Sequence, residues 1–118
     1  MKILIAGGRD FSDKEFLYKY MDQFLEEATF VISGCAKGAD KLGEKWAIDR
    51  GIPVERYPAQ WSRYGRKAGP LRNIEMLEKG KPDLVVVFKG GTGSAHMASI
   101  AKKAGVKTLR PRRGLNGY

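Results

Sequence analysis

The chain has 118 residues and a single cysteine, a length that fits one domain with one hydrophobic core and a cysteine count that excludes an internal disulfide framework. Hydrophobic residues are 42% and charged residues 30%, as in an ordinary globular protein, and the longest apolar run, Leu84-Val85-Val86-Val87-Phe88, is far too short to cross a bilayer. The formal net charge of +9 is unevenly placed: residues 1–60 sum to −1 and residues 61–118 to +10, so the second half favours anionic partners without choosing among phosphates, nucleic acid and acidic protein.

Strand and helix patterns alternate along the chain. Residues 2–6 form a short apolar run that turns glycine-rich at once, which predicts a buried strand and lacks the layout of a signal peptide; a cytoplasmic protein is expected. Ser12 and Glu15 have capping-box spacing, and Phe16, Leu17, Tyr20, Met21, Phe24 and Leu25 then repeat at helical intervals. Residues 29–33 are a β-branched and aromatic second strand ending at Gly34. Residues 39–50 predict a helix with Leu42, Trp46 and Ala47 on its apolar side and Gly51 at its end.

A weaker third strand covers residues 53–57, and residues 58–69 have no clear period and predict a long loop. Pro70 fits the first position of a helix running to about Lys79. Residues 83–88 are the strongest strand, apolar on both faces as in the middle of a parallel sheet. Gly90-Gly91-Thr92-Gly93 precedes a helix from Ser94 to about Ala104, and residues 106–109 close as a last strand. There is no internal repeat.

Five strands alternating with four helices predict one α/β, Rossmann-like, three-layer domain over residues 1–110, with a five-stranded parallel sheet in the order 3-2-1-4-5 and a basic tail at 111–118. In such sheets ligands bind beyond the carboxyl ends of the strands, at the switch point between the first and fourth. Four polar or glycine-rich segments follow strands on that side: the turn after Gly7, the turn after Ser33, the loop 58–73, and the turn around Gly91.

A glycine-rich turn opening a helix leaves backbone N–H groups free for a phosphate. Gly90, Gly91, Thr92, Gly93 and Ser94 fit this best, with Gly8 on the neighbouring turn. Gly34, with Ser33 before it and Lys37 three residues on, begins a weaker copy that serves equally well as a plain turn. Arg9 and Asp10 suit either a ligand phosphate and ribose hydroxyl or a structural ion pair. Arg72 and Asn73 fall in the first turn of the predicted helix, where the dipole disfavours a cation, so a ligand role is expected for Arg72. Trp61 and Tyr64, interleaved with Arg63, Arg66 and Lys67, suit base stacking or the packing of their own loop. His96 has no cysteine or carboxylate at metal spacing, so no metal site is expected and a solvated helix histidine is the default. Cys35 has no histidine to pair with it and reads as a buried turn cysteine rather than a nucleophile.

The ordered set Gly8-Arg9-Asp10-Phe11, Ser33 to Asp40, Pro58-Ala59-Gln60-Trp61, Tyr64-Gly65, Ala68 to Asn73 with Met76, and Gly90 to Ser94 resembles the YspA-like family of the SLOG superfamily, found in bacteria and phages. The resemblance implies a Rossmann-like fold and a nucleotide or nucleotide-derived ligand, carries over no assigned reaction, and leads to an expected homodimer; no cofactor is expected. The last glycine turn also resembles the cytokinin-activating phosphoribohydrolase group, whose catalytic glutamate position here holds Met97, a side chain that cannot do acid–base work. A surviving hydrolase would need Asp10, Asp40 or Glu75 as its carboxylate. Ser33 to Asp40 is similar to the DNA-processing protein A group, which binds single-stranded DNA.

The first expectation is therefore a protein that binds a phosphate-bearing, nucleotide-like small molecule as a sensor or sequestering protein. The alternatives are a nucleotide N-glycosidic hydrolase and a single-stranded nucleic-acid binder, the basic half allowing weak nucleic-acid affinity in any case. No membrane partner is expected.

Overall fold

In the computed structural model, which describes residues 1–114, five strands form one parallel sheet in the order β3-β2-β1-β4-β5. They are β1 (Lys2–Ala6), β2 (Phe30–Ser33), β3 (Val54–Arg56), β4 (Leu84–Val87) and β5 (Lys107–Leu109). Between them run α1 (Lys14–Asp22), α2 (Ala39–Asp49), the single turn α3 (Trp61–Tyr64), α4 (Ala68–Glu75) and α5 (Thr92–Lys103). The predicted strand order and three-layer Rossmann-like architecture are observed.

The register explains the two-sided apolar strands. β1 pairs Ile3 with Leu84 and Ile5 with Val86 on one side, and Ile3 with Val31 on the other, while β4 also pairs Val85 with Thr108, so β1 and β4 lie inside the sheet. Alternate residues feed opposite cores. Ile3, Ile5, Val31, Val86 and Phe88 pack under Phe16, Leu17 and Met21 of α1 and Trp46 of α2. Leu4, Ala6, Ile32, Val85 and Val87 pack under Met76 and under Met97, Ala98 and Ala101 of α5. Trp46 is fully buried and its indole N–H donates to Asp22 at 2.8 Å, which joins α1 to α2.

Several element boundaries differ from the sequence reading. The side chain of Asp13, not Ser12, caps α1 by accepting from Phe16 N at 3.2 Å, and α1 ends at Asp22, leaving Leu25 exposed. The expected loop 58–69 contains α3 and a 3₁₀ turn (Gly65–Lys67) leading straight into α4, so Pro70 is the third residue of its helix rather than the first. After Glu75 the helix widens to a π turn (Met76–Gly80) that ends at Lys81 in the left-handed region, φ 51°. The helix α5 starts at Thr92, two residues before Ser94.

The end of the described chain is also not a free tail. Arg112 donates to Val87 O at 3.1 Å, and Arg113 pairs with Asp13 at 2.6 and 3.0 Å. The rest of the predicted basic tail, 115–118, lies outside the described residues. Among the described residues no helix is long and apolar enough to cross a membrane.

Candidate functional site

The carboxyl ends of β1 and β4 diverge at a point where two glycines touch. Gly8 N donates to Lys89 O at 3.0 Å, and a Cβ built on Gly8 would lie 2.7 Å from Gly90 Cα. A Cβ on Gly90 would lie 2.5 Å from Gly8 N and 2.2 Å from the Ser94 hydroxyl oxygen. These two glycines let the turns after β1 and β4 cross in contact. Gly38, at φ 80°, closes the same junction, because its Cβ would strike the Gly8 carbonyl at 2.1 Å. Gly91 and Gly93 differ: a Cβ there meets nothing within 4 Å, so their exposed backbone faces open space.

Beside this junction is a cleft of about 620 Å³, a size usual for a small-molecule site. The turns after β1 and β4 supply Arg9, Asp10 and the Gly91–Ser94 start of α5. The helix α2 supplies Asp40, and α3 and α4 supply Trp61, Arg72 and Asn73. The amino end of α5 has no side-chain cap, and its first residues, Gly91 to Ser94, line the cleft, which brings the positive end of the helix dipole to it.

Arg72 is half-buried, and its position is fixed from two sides. Nη1 donates to the carbonyl oxygen of Gly34, and Nε donates to Asn73 Oδ1 at 3.1 Å. Because Nε can only donate, the Asn73 amide is oriented with Nδ2 toward α5, where it meets Gly93 O at 3.3 Å and His96 Nδ1 at 3.1 Å. His96 Nδ1 is therefore the acceptor, which places the ring proton on Nε2. Burial holds the Arg72 guanidinium below its usual pKa, with Asp40 opposing that shift. Arg72 also lies late in α4 rather than in its first turn. The dipole argument for it does not hold, and burial beside the cleft takes its place.

Asp40 is 5% exposed and accepts from Ala36 N at 3.3 Å. Burial pushes its pKa up to about 6, against the pull of the Ala36 N–H and of Arg72. It is the one candidate carboxylate that is both buried and at the cleft. Asp10 lines the cleft but is exposed. Glu75 is not brought to it: its carboxylate pairs with Lys79 at 3.1 Å, in a separate groove beside Tyr64 and Leu71.

Ser33 is fully buried and does not reach the cleft. Its hydroxyl donates to Glu44 Oε2 at 2.6 Å and accepts from Cys35 N at 3.1 Å. Burial of Glu44 works against its charge, but the Ser33 hydroxyl and Arg56, at 2.9 Å, outweigh it and hold its pKa low. Lys37 lines a side groove with Gly34 and Cys35. Cys35 takes φ 65°, and burial followed by the nearby Glu44 raises its thiol pKa, which suits a turn cysteine and not a thiolate nucleophile. Arg9 and Asp10 form no ion pair with each other; instead the Arg9 guanidinium lies over the Trp61 ring, 5.4 Å from its centroid. Tyr64 faces the Glu75 groove with Arg63 over its ring at 5.0 Å, so the two aromatic candidates do not form one stacking surface.

Sequence reading missed His96, which lines the cleft as a partner of Asn73, and two residues outside it: Glu44, which holds Ser33, and Arg112, which is tied to the end of β4. Glu44 sits one helical turn after Asp40 on a helix opening beneath the second glycine turn, which is a readable signal. His96 stands three residues after Gly93 on α5, but its link to Asn73 is long-range and has no local signature.

A parallel sheet of order 3-2-1-4-5 with a glycine-lined cleft at its switch point defines a Rossmann-like α/β domain. The chain belongs to the YspA, cpYpsA-related SLOG family, whose model matches residues 1–64. It is 31% identical to the "Gene 61 protein" of Mycobacterium phage D29 over 118 residues, covering 92% of this chain and 94% of that protein. Its fold is similar to the X-ray structure of DNA processing protein A (DprA) from Streptococcus pneumoniae, with a TM-score of 0.72 and 22% identity. That match covers 98% of this chain but 52% of the other, so the present chain spans about half of it.

Proposed function

We propose that the cleft binds a phosphate-bearing, nucleotide-like small molecule. The phosphate would sit against the uncapped turn from Gly91 to Ser94, with Thr92 as a hydroxyl donor and Arg9 and Arg72 neutralising the charge. The base would lie near Trp61. The observation that carries this reading is the convergence of Arg72 with an uncapped, open helix start in one cleft. Membership in a SLOG family supports a nucleotide- or nucleic-acid-related role. The test is a thermal-shift screen of the four nucleoside 5′-monophosphates at physiological salt, on the wild type and on Gly91→Glu. That substitution sets a carboxylate where the phosphate would lie, at a position with no neighbour to strike. Stabilisation of the wild type and none of the variant is expected; equal response of both would overturn the assignment.

A second reading, nucleotide N-glycosidic hydrolysis, is favoured by one observation: Asp40, with its pKa near 6, stands at the same cleft. It predicts free base released from a nucleoside monophosphate and no release by Asp40→Asn. Release that persists in Asp40→Asn would remove Asp40 from the chemistry.

A further inference from the structure

On the far side of the Gly8–Gly90 contact lies a second cleft of about 880 Å³. It shares Gly8, Arg9, Asp10 and Gly91 with the first and adds Phe11, Lys89 and Arg112. Arg112 is the counterpart of Arg72. Each is half-buried, and each uses Nη1 on a backbone carbonyl beyond a strand end or within a strand: Gly34 O for Arg72, Val87 O for Arg112. Among the described residues neither has a carboxylate within 4.0 Å. Burial lowers the pKa of both guanidiniums. Asp40 partly offsets the charge of Arg72, whereas burial and the neighbouring Arg110 both act against the charge of Arg112; a cation held partly out of water in this way is unfavourable, and a bound anion relieves it.

The charge of the second cleft also fits an anion. Arg113 is matched by Asp13 at 2.6 Å, which leaves Arg9, Lys89 and Arg112 facing Asp10. Phe11, half-buried and packed on Phe88 at 5.2 Å between centroids, provides an aromatic wall there, as Trp61 does in the first cleft. Each cleft is large enough for one nucleoside. Of the four shared residues, Arg9 and Gly91 suit a phosphate, and the exposed Asp10 carboxylate beside them suits a ribose hydroxyl.

We propose that the two clefts are halves of one site whose ligand carries two nucleosides joined through phosphate. The joining phosphate sits at the Gly91 turn, one nucleoside lies beside Trp61 and Arg72, and the other beside Phe11 and Arg112. This rests on the reading of the first cleft as a phosphate site. Such a ligand has two sources, a free dinucleotide or two successive nucleotides of a single strand.

The experiment is calorimetric titration of the full chain at physiological salt with four kinds of probe. These are the nucleoside 5′-monophosphates, phosphodiester-linked homodinucleotides, pyrophosphate-bridged homodinucleotides and homopolymeric single-stranded 12-mers. A dinucleotide or a strand is expected to bind about tenfold or more tightly than the matching mononucleotide. Arg112→Gln is expected to erase that margin and leave mononucleotide affinity unchanged. Lys89→Gln, at an exposed position, is expected to reduce the margin and serves if Arg112→Gln does not fold. A free-dinucleotide source appears as equal binding of dinucleotide and strand, and a strand source as tighter strand binding that falls with added salt. Mononucleotides binding as tightly as every longer probe, or a margin indifferent to both variants, would overturn the two-part site and leave the first-cleft reading intact. No binding of any probe would overturn both.

Discussion

The guanidinium of Arg72 donates to the carbonyl oxygen of Gly34, so the inward face of α4 is tied to the turn after β2. Gly34 also separates Arg72 from Asp40: a Cβ on it would lie 2.7 Å from Arg72 Nη1 and 2.9 Å from Asp40 Oδ2. The cleft keeps a half-buried cation and a buried carboxylate close together because the residue between them has no side chain.

Gly34→Ala therefore tests the cleft more than the fold. The added methyl must displace the Arg72 guanidinium from its partners Gly34 O and Asn73, or Asp40, which is held by Ala36 N. A stability loss of about 1–3 kcal/mol is expected, together with loss of mononucleotide stabilisation in a thermal-shift assay. Retained ligand response at wild-type strength would mean that Arg72 takes no part.

The glycines of the junction predict a sharper contrast. Gly8→Ala and Gly90→Ala drive a methyl into backbone at 2.5–2.8 Å, which no side-chain rotation relieves. Each is expected to cost more than about 2 kcal/mol in chemical denaturation. Gly91→Ala meets only open space and is expected to cost less than about 1 kcal/mol, through its place as the cap of α5. Equal losses at Gly90 and Gly91 would show that the junction gives way.

That contrast was only partly legible in the sequence. The alternation of apolar runs and helical repeats carried the sheet order, because β1 and β4 are apolar on both faces and glycine turns follow each at one edge. The sequence marked Gly8, Gly90, Gly91 and Gly93 alike, since a glycine needed for backbone contact and one facing empty space look the same without the partner turn. The helical character of residues 61–68 was hidden by Gly65 and Pro70, which read locally as breakers, although a proline in the third helical position blocks no hydrogen bond. Ser33 looked like a ligand hydroxyl because its partner, Glu44, is eleven residues away.

Asp40 gives a pH prediction with a definite sign. Its pKa is about 6 in the fold against 3.8 for an ordinary aspartate, so folding favours the protonated form. Its contribution to stability is fully present below about pH 3.8 and is lost as pH rises through 6. Glu44, held low, acts in the opposite direction at the acid end. Asp40→Asn removes the first effect alone. Between pH 4 and 7 the wild type should lose about 1–3 kcal/mol relative to the variant in urea titrations; parallel curves would contradict the raised pKa.

Asp13 has two partners, the Phe16 N–H at the start of α1 and the Arg113 guanidinium. Arg113→Ala removes an exposed ion pair, worth less than about 1 kcal/mol. Asp13→Ala removes the cap as well and is expected to cost about 1 kcal/mol more. A double-mutant cycle in which Asp13→Ala has the same effect with and without Arg113 would show that the C-terminal contact contributes nothing in solution.

The most direct measurement is native mass spectrometry of the chain purified gently from its host, with Gly91→Glu prepared alongside. The phosphate-binding account predicts a wild-type complex whose added mass is that of one or two nucleotides, and a variant that carries none. Both proteins bare, or both carrying the same mass, would contradict it.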